Sequence, residues 1–336
     1  MKRKFNWKNK KILITGACGT IGRALSSEII KKPINEVILL DNNETSIYEI
    51  SENYDSNKKV KVFLGDIRQQ KSIYKAFRDI DIVFHGAALK HVELGELNPS
   101  EIISTNILGT ENVVECALQN NIQKLIFMSS DKAVNPTNLM GASKLFGEKI
   151  SKSFNSSNSK SIFITTRFGN VLGSSGSALI KFIKQIKNNS SVTLTSKRMT
   201  RFIMTKKEAI NLLIGSCEKG CSGDTFVSKM SAVSIFDLIL ALYSLIEKKE
   251  KRKIKQKIKI IGEKKGEKYF EELINNEEIE RVDDSGSKYF IVKDKLHVGA
   301  KKNDNYSSKT QKLMNVSEII KLLQKDDYVN YLLNIS

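Results

Sequence analysis

Proline and histidine are scarce, three of each in 336 residues, and tryptophan occurs once. So few prolines exclude a proline-rich linker or an extended stalk between domains. Three histidines exclude a multi-histidine metal centre. The four cysteines, Cys18, Cys116, Cys217 and Cys221, are too few for a disulfide framework in a chain of this length. Cys217 and Cys221 are spaced like two ligands on a helix, but no second pair or nearby histidine completes a zinc site, so no metal is expected. Long apolar runs are missing too. The longest candidates, such as Ile12 to Ala17, have the length of a strand, far short of the ~18–20 residues of a membrane span. The basic N-terminus, MKRKFNWKNKK, leads straight into a glycine motif with no signal-peptide core behind it, and a cytoplasmic protein is expected.

Acidic residues are in deficit: 37 against 55 Lys and Arg, a net charge of +18. The basic runs are Lys2 to Lys11 and Glu247 to Lys259 (EKKEKRKIKQKIK). Neither is interleaved with aromatics, and no helix-turn-helix, zinc-finger or RNA-recognition signature occurs. Specific nucleic-acid binding is therefore not expected, and an anionic small-molecule substrate suits such a charge equally well.

Short β-branched runs alternate with helical patterns over residues 11–170. The expected strands are 11–15, 36–41, 60–65, 81–86, 124–129 and 161–168, with helices such as 99–119 and 139–154 between them. Strand–helix–strand units imply right-handed crossovers and a doubly wound parallel sheet, an α/β fold of Rossmann type. Asn98 followed by Pro99 reads as a capped helix start. After residue 170 the pattern is irregular: a Gly/Ser-rich stretch 169–177, a basic helix, then TSKRMTRFIMT (195–205) read as a loop. The expected division is a dinucleotide-binding domain over 8–170 with a return segment near 203–232. A smaller substrate-binding lobe takes 171–202 and 233–300, and 301–336 form a C-terminal tail and helix.

The strongest single motif is Thr15-Gly16-Ala17-Cys18-Gly19-Thr20-Ile21-Gly22, after the first strand and opening a helix. Glycines there allow a tight turn and let backbone approach a pyrophosphate at the helix N-terminus. Asp41 ends the second strand 19 residues beyond Gly22, where a carboxylate meets the adenosine ribose. Such a carboxylate repels a 2′-phosphate, so NAD is expected over NADP. Asp66, after the third strand, either reaches the adenine edge or caps a helix. Ala87 and Ala88 are small where backbone must pass close to the dinucleotide.

The densest stretch is Ser129-Ser130-Asp131-Lys132-Ala133-Val134-Asn135-Pro136-Thr137-Asn138-Leu139-Met140-Gly141-Ala142-Ser143-Lys144, at the C-terminal end of the fifth strand, where open α/β sheets bind ligands. Met140 and Lys144 are four apart and share a helix face. Together with Ala87-Ala88-Leu89-Lys90-His91-Val92, Arg167-Phe168-Gly169-Asn170-Val171-Leu172-Gly173-Ser174, Met199-Thr200-Arg201-Phe202, Gly266-Glu267-Lys268 and Tyr306-Ser307-Ser308, it resembles the extended short-chain dehydrogenases/reductases. More narrowly, the chain resembles the nucleotide-sugar 4,6-dehydratases that act on UDP-N-acetylglucosamine, over nearly its whole length.

That resemblance implies a redox-neutral removal of water from a UDP-linked N-acetylhexosamine, for surface-glycan or flagellar sugar synthesis. It implies Lys132 as the base at C5, with a pKa depressed by burial and by Lys144, and Asp131 as the acid for the C6 oxygen. Ser130 falls on the C4 oxygen and Lys144 on the nicotinamide ribose. The cofactor set is completed by Ile67, Lys90, Asn106 and Ser129. Lys90, His91, Met140, Asn170, Arg201 and Glu267 fall on the substrate, with Arg201 suited to the diphosphate. A homo-oligomer packed through helices 99–119 and 139–154 is the family expectation.

Three departures stand out. Met140 occupies the position where most short-chain dehydrogenases carry a proton-accepting tyrosine, as it does in one branch of these dehydratases. Ser175 and Lys264-Lys265 stand where relatives often have Arg and Arg-Pro. A 4-epimerase or reductase of the same fold, and a non-catalytic dinucleotide-binding protein, are the alternatives.

Overall fold

The computed structural model describes residues 5–154, 160–263, 266–284, 288–296 and 305–334. Lys264 and Lys265 lie outside the described residues. Among the described residues, nine strands form the large sheet. These are β1 (Lys11–Thr15), β2 (Glu36–Asp41), β3 (Val60–Leu64), β4 (Ile82–His85), β5 (Lys124–Ser130), β6 (Ile162–Phe168), β7 (Thr225–Ser228), β8 (Val282–Asp283) and β9 (Tyr289–Val292). Their spatial order is 8-9-7-6-5-4-1-2-3, parallel from β3 to β7, with β9 and β8 added antiparallel at the edge.

The aliphatic runs make this sheet because both faces are covered. Ile12 and Ile14 pack with Val37, Leu39, Phe84 and Leu25 on one side. Leu13, between them, packs with Leu40, Val83, Val113 and Phe127 on the other. A residue period of two therefore buries every position of a central strand. The chain reverses direction about β1 and β4, which opens the ligand crevice beyond their carboxyl ends.

Helix α1 (Thr20–Ile29) follows β1, and α2 (Glu44–Asn53) is capped by Asn43, whose side chain accepts from Ser46 N. The long helical run α3 has three parts, Pro99–Ile102, a π-helical turn Ile103–Leu108 and Gly109–Gln119. Pro99 does open it, but the Asn98 amide donates backwards to the Leu94 carbonyl and does not cap it. Helix α4 (Leu139–Ser153) starts at Asn138, whose side chain accepts from Gly141 N at 2.8 Å.

The second lobe packs helices Ala178–Lys187, Ile235–Glu250, Val316–Gln324 and Asp327–Asn334 around Phe182, Ile186, Leu242, Ile246, Ile319 and Leu323. Segment 233–300, assigned from the sequence wholly to this lobe, divides, because β8 and β9 return to the large sheet. Two helices, not one, end the chain. The stretch 195–205, read as a loop, contains the strand Thr200–Met204, paired with Ser231–Ser234 and Asn170–Val171. Tyr306–Ser307 pairs with Glu272–Ile274 and brings the tail back against the substrate lobe. Among the described residues no helix is long and apolar enough to cross a membrane.

Candidate active site

The turn after β1 is shaped by close approach. Gly16 has φ +72°, and a Cβ there would lie 2.6 Å from the Ala87 nitrogen. A Cβ on Gly22 would lie 2.2 Å from the Gly16 carbonyl oxygen. A side chain on Gly16 would force apart the loops after β1 and β4, and one on Gly22 would push α1 off the turn that precedes it. Gly19 is the N-cap of α1 and carries no side chain to occupy the first-turn N–H groups, which suits a phosphate site. Asp41 closes the lip: one oxygen accepts from Cys18 N at 2.9 Å and the other from Asn43 N at 3.1 Å. These residues fit a dinucleotide whose diphosphate rests on α1 and whose adenosine ribose meets Asp41.

The remaining expected cofactor residues follow the loops and helices around this turn. The Arg68 guanidinium grips Asp66 and, against some burial, holds its carboxyl below the usual range. Ile67 is buried, and its carbonyl accepts from the Asn112 amide. Ala87 N donates to Thr15 Oγ1 at 3.3 Å, next to Ala88. Ile21 packs against the core beneath the loop. Asn106, turned inward by the π-helical turn, accepts from Leu89 N and donates to the Leu89 carbonyl and to Ser143 Oγ. It thus clamps the loop after β4 to α4. Ser129 differs from expectation. Its hydroxyl donates to Glu148 at 2.6 Å, away from the crevice, so its side chain belongs to a buried ionic trio of Glu148, Arg167 and Glu278.

The acid/base stretch is packed tightly onto α4. A Cβ on Gly141 would lie 2.3 Å from the Lys132 carbonyl oxygen, so the glycine after Met140 lets the turn Asp131–Ala133 touch the first turn of the helix. Met140 is buried. One turn on, the Lys144 ammonium donates to the Met128 carbonyl at 2.9 Å over the Phe127 ring. Burial pulls it down to about 8, with Glu148 opposing. Ser130 Oγ donates to Asp131 Oδ1 at 2.7 Å, and Lys132 Nζ reaches the same oxygen at 2.9 Å.

The expected depression of the Lys132 pKa is corrected. Burial does favour the neutral amine, but the Asp131 and Glu271 charges outweigh it and hold the ammonium above its ordinary value.

The Gly/Ser-rich segment after β6 meets the loop after β4 from the other side. Lys90 Nζ donates to the Ser175 carbonyl at 2.6 Å, and burial lowers its pKa. His91 packs its ring against Gly176, where a Cβ would lie 2.5 Å from Cε1. The Ser175 hydroxyl stands 3.2 Å from Thr20 Oγ1, so the segment following Asn170 bridges the glycine loop and the loop after β4. Glu267 accepts from Thr195 Oγ1 at 2.8 Å.

Arg201 departs from its expected place on a diphosphate. It is buried, and its guanidinium donates to the carbonyls of Thr200, Tyr269 and Lys268. Its Nε lies 3.7 Å from Glu271. Glu271 itself was not anticipated. It lies 140 positions from Asp131, and only its place three residues after Lys268 in a quoted motif could have drawn attention to it.

A Rossmann sheet with its glycine turn, its Ser-Asp-Lys stretch at the end of β5 and a helical Lys144 beside the crevice defines the extended short-chain dehydrogenase/reductase class. Residues 12–293 match the polysaccharide biosynthesis protein family, and the chain belongs to that family. It is 40% identical over 328 residues to an uncharacterized membrane protein of Methanocaldococcus jannaschii, covering 96% of this chain and 98% of the relative. It is 38% identical over 338 residues to a UDP-glucose 4-epimerase of Rickettsia bellii, at 96% and 97% coverage. Among solved structures, Pen from Bacillus thuringiensis superposes with a TM-score of 0.91 at 34% identity, covering 96% of this chain and 99% of that one. A dTDP-glucose 4,6-dehydratase from Streptomyces venezuelae, crystallised with NAD bound, shares the fold at a TM-score of 0.68 and 18% identity, covering 77% and 86%. The neighbours of this fold are enzymes of nucleotide-sugar chemistry, dehydratases and epimerases.

Proposed function

We propose that the protein is an NAD-dependent hydro-lyase that converts a UDP-linked N-acetylhexosamine, UDP-N-acetylglucosamine first, into the 4-keto-6-deoxy sugar for surface-glycan or flagellar sugar synthesis. The reading rests on the family resemblance and on one observation: Ser130 Oγ donates to a buried Asp131 carboxylate at 2.7 Å, beside a helix position where Met140 can accept no proton. A proton path that bypasses the missing tyrosine is therefore built into the turn after β5.

The residues of the glycine turn, with Asp41, Asp66 and Lys144, are those that would hold NAD, which supplies the oxidant for C4 and the reductant for C6. Ser130 takes the O4 proton and passes it to Asp131. Asp131 then carries the proton that the C6 oxygen needs to leave as water. Lys132, on the next residue, serves C5. Lys144, near neutrality in its proton balance, holds the ribose and stabilises charge on the C4 oxygen. Lys90, His91, Asn170 and Glu267 line the sugar side.

We further take the protein to be a homo-oligomer. Leu94, Leu97, Ile103, Leu108 and Phe146 are exposed on helix Val92–Leu97, α3 and α4, an apolar face suited to a second copy.

The deciding experiment is incubation of the purified protein with UDP-N-acetylglucosamine in D₂O, with the product followed by mass spectrometry and NMR. Loss of one water with deuterium at C5 is the expected result, and the C5 coupling separates inversion from retention. A C4 epimer of unchanged mass would make the protein an epimerase, as the Rickettsia relative is named. Unchanged sugar with NAD still bound would leave a dinucleotide-binding protein without this activity.

A further inference from the structure

Lys132 must lose a proton before it can take one from C5, yet two carboxylates hold that proton in place. Its Nζ lies 2.9 Å from Asp131 Oδ1 and 3.8 Å from Glu271 Oε1. Asp131 and Glu271 are 1% and 3% exposed. Each keeps one buried oxygen, Asp131 Oδ2 and Glu271 Oε2, without a hydrogen-bond partner among the described residues. An orphaned carboxylate oxygen of this kind is costly in a purely structural pair.

Arg201 does not account for Glu271 either. Its guanidinium donates to three backbone carbonyls and lies 3.7 Å from Glu271, so, like the Lys132 ammonium at 3.8 Å, it meets the carboxylate as a charge and not through a hydrogen bond. The chain does take trouble to fix Glu271 in position. Glu271 N donates to Ser308 Oγ at 3.0 Å, Ser308 N donates back to the Glu271 carbonyl at 2.9 Å, and Thr200 Oγ1 lies 3.0 Å from the same hydroxyl.

We propose that Glu271 is the proton acceptor that frees Lys132 for its work at C5, and that the Tyr306-Ser307-Ser308 tail is the device that holds it there. The proposal rests on the dehydratase reading above. Glu271 is a positioning residue, since it acts through Lys132 and not on the sugar. When Ser130 relays the O4 proton to Asp131, Lys132 loses one of its two counter-charges. With Asp131 neutral, the ammonium turns from Asp131 Oδ1 and closes the 3.8 Å to Glu271 Oε1; the Lys132 N–H bond then breaks and an O–H bond forms on Glu271. The freed lone pair takes the C5 proton, and the C5–H electron pair moves toward C6. The C6–O bond breaks, and the oxygen leaves as water with the proton from Asp131. Reprotonation of C5 from Lys132 lets Glu271 return its proton, and the cycle closes without net gain or loss.

The charged groups around the pair are Asp131 on the same turn, Arg201 from the strand Thr200–Met204, and Lys268 with Glu267 and Glu272 from the segment that carries Glu271. Lys268 is engaged with the Val134 carbonyl, and Glu272 with Asn135 and Asn305. Burial raises the Glu271 pKa, which suits a group that must accept a proton from an ammonium.

The test compares the native holoenzyme with Glu271→Gln and Glu271→Asp, using UDP-N-acetylglucosamine. In Glu271→Gln, kcat should fall about 100-fold near neutral pH with KM and NAD binding unchanged. It should then climb about tenfold per pH unit as solvent takes over removal of the Lys132 proton. Glu271→Asp should recover part of the loss. The Lys132 Nζ titration, followed by NMR of labelled lysine, should move down in Glu271→Gln. A uniform loss with the native pH profile, or an unmoved Lys132 titration, would make Glu271 a structural prop and overturn the proposal. A native protein that yields no dehydrated sugar would overturn the dehydratase reading itself, and this proposal with it.

Discussion

Arg167 is the cation on which the two lobes most depend. Its side chain crosses from β6 to both Glu148 on α4 and Glu278 beyond the strand Glu272–Ile274. Nε and Nη2 donate to Glu148 at 2.9 and 2.7 Å, Nη2 and Nη1 to Glu278 at 2.7 Å each, and Nη1 to the Leu273 carbonyl at 2.9 Å. All three side chains are buried, at 3%, 2% and 6% exposure. Arg167→Met keeps the stem and removes the charge, leaving two buried carboxylates facing each other without the guanidinium that hydrogen-bonds them both. Breaking such a trio on one side costs about 3–5 kcal/mol. Unfolding entropy of about 2.1 cal/mol/K per residue, applied to this chain length, converts that into a Tm lower by about 4–7 °C.

The loss should depend on pH. Arg167, working against burial, holds the Glu278 carboxyl below its ordinary value. A depressed folded-state pKa contributes stability that is present above the unfolded value and fades as pH falls through the folded one. The gap between native and Arg167→Met should thus be widest near neutrality and narrow on acidification. Urea titrations at several pH values measure it. Adding Glu148→Gln and Glu278→Gln to the variant should restore part of the stability, since no buried charge then remains. A loss below about 1 kcal/mol, or a gap that stays constant with pH, would refute the argument that the trio is held by uncompensated charge.

Two further expectations follow from single side chains. Burial brings Lys144 down to about 8 despite Glu148, so its ammonium is lost as pH rises past that value. Activity on the nucleotide sugar should then fall on the alkaline side of about 8, and Lys144→Arg should move that limb upward; a limb unmoved by the substitution assigns it to another group. Leu97 is 76% exposed at the centre of the apolar face. Leu97→Glu should turn the sedimenting species from dimer to monomer with NAD binding retained, and a native protein that already sediments as a monomer removes the oligomer.

The central strands β1, β4, β5 and β6 and the glycine turn were legible because burial on both faces leaves an unbroken aliphatic record, and because a backbone crossing at Gly16 tolerates no other residue. That Ser130, Asp131 and Lys132 lie together was legible for a related reason: contiguous residues at the end of a strand share one place in space. What escaped were relations between charges far apart in the chain. The strand Thr200–Met204 reads as a basic loop until the carbonyls of Lys268 and Tyr269 absorb Arg201 and let it be buried. Lys132 reads as a depressed base because Lys144 is near in sequence, whereas the charges that reverse the sign are Asp131 beside it and Glu271, which arrives from far along the chain with its backbone N–H on the Ser308 hydroxyl. Periodicity records which side a residue faces, not which distant charge meets it. On the proposal that Glu271 serves Lys132, substitutions at Ser308 or Thr200, which touch no reacting atom, should disturb the Lys132 titration through Glu271.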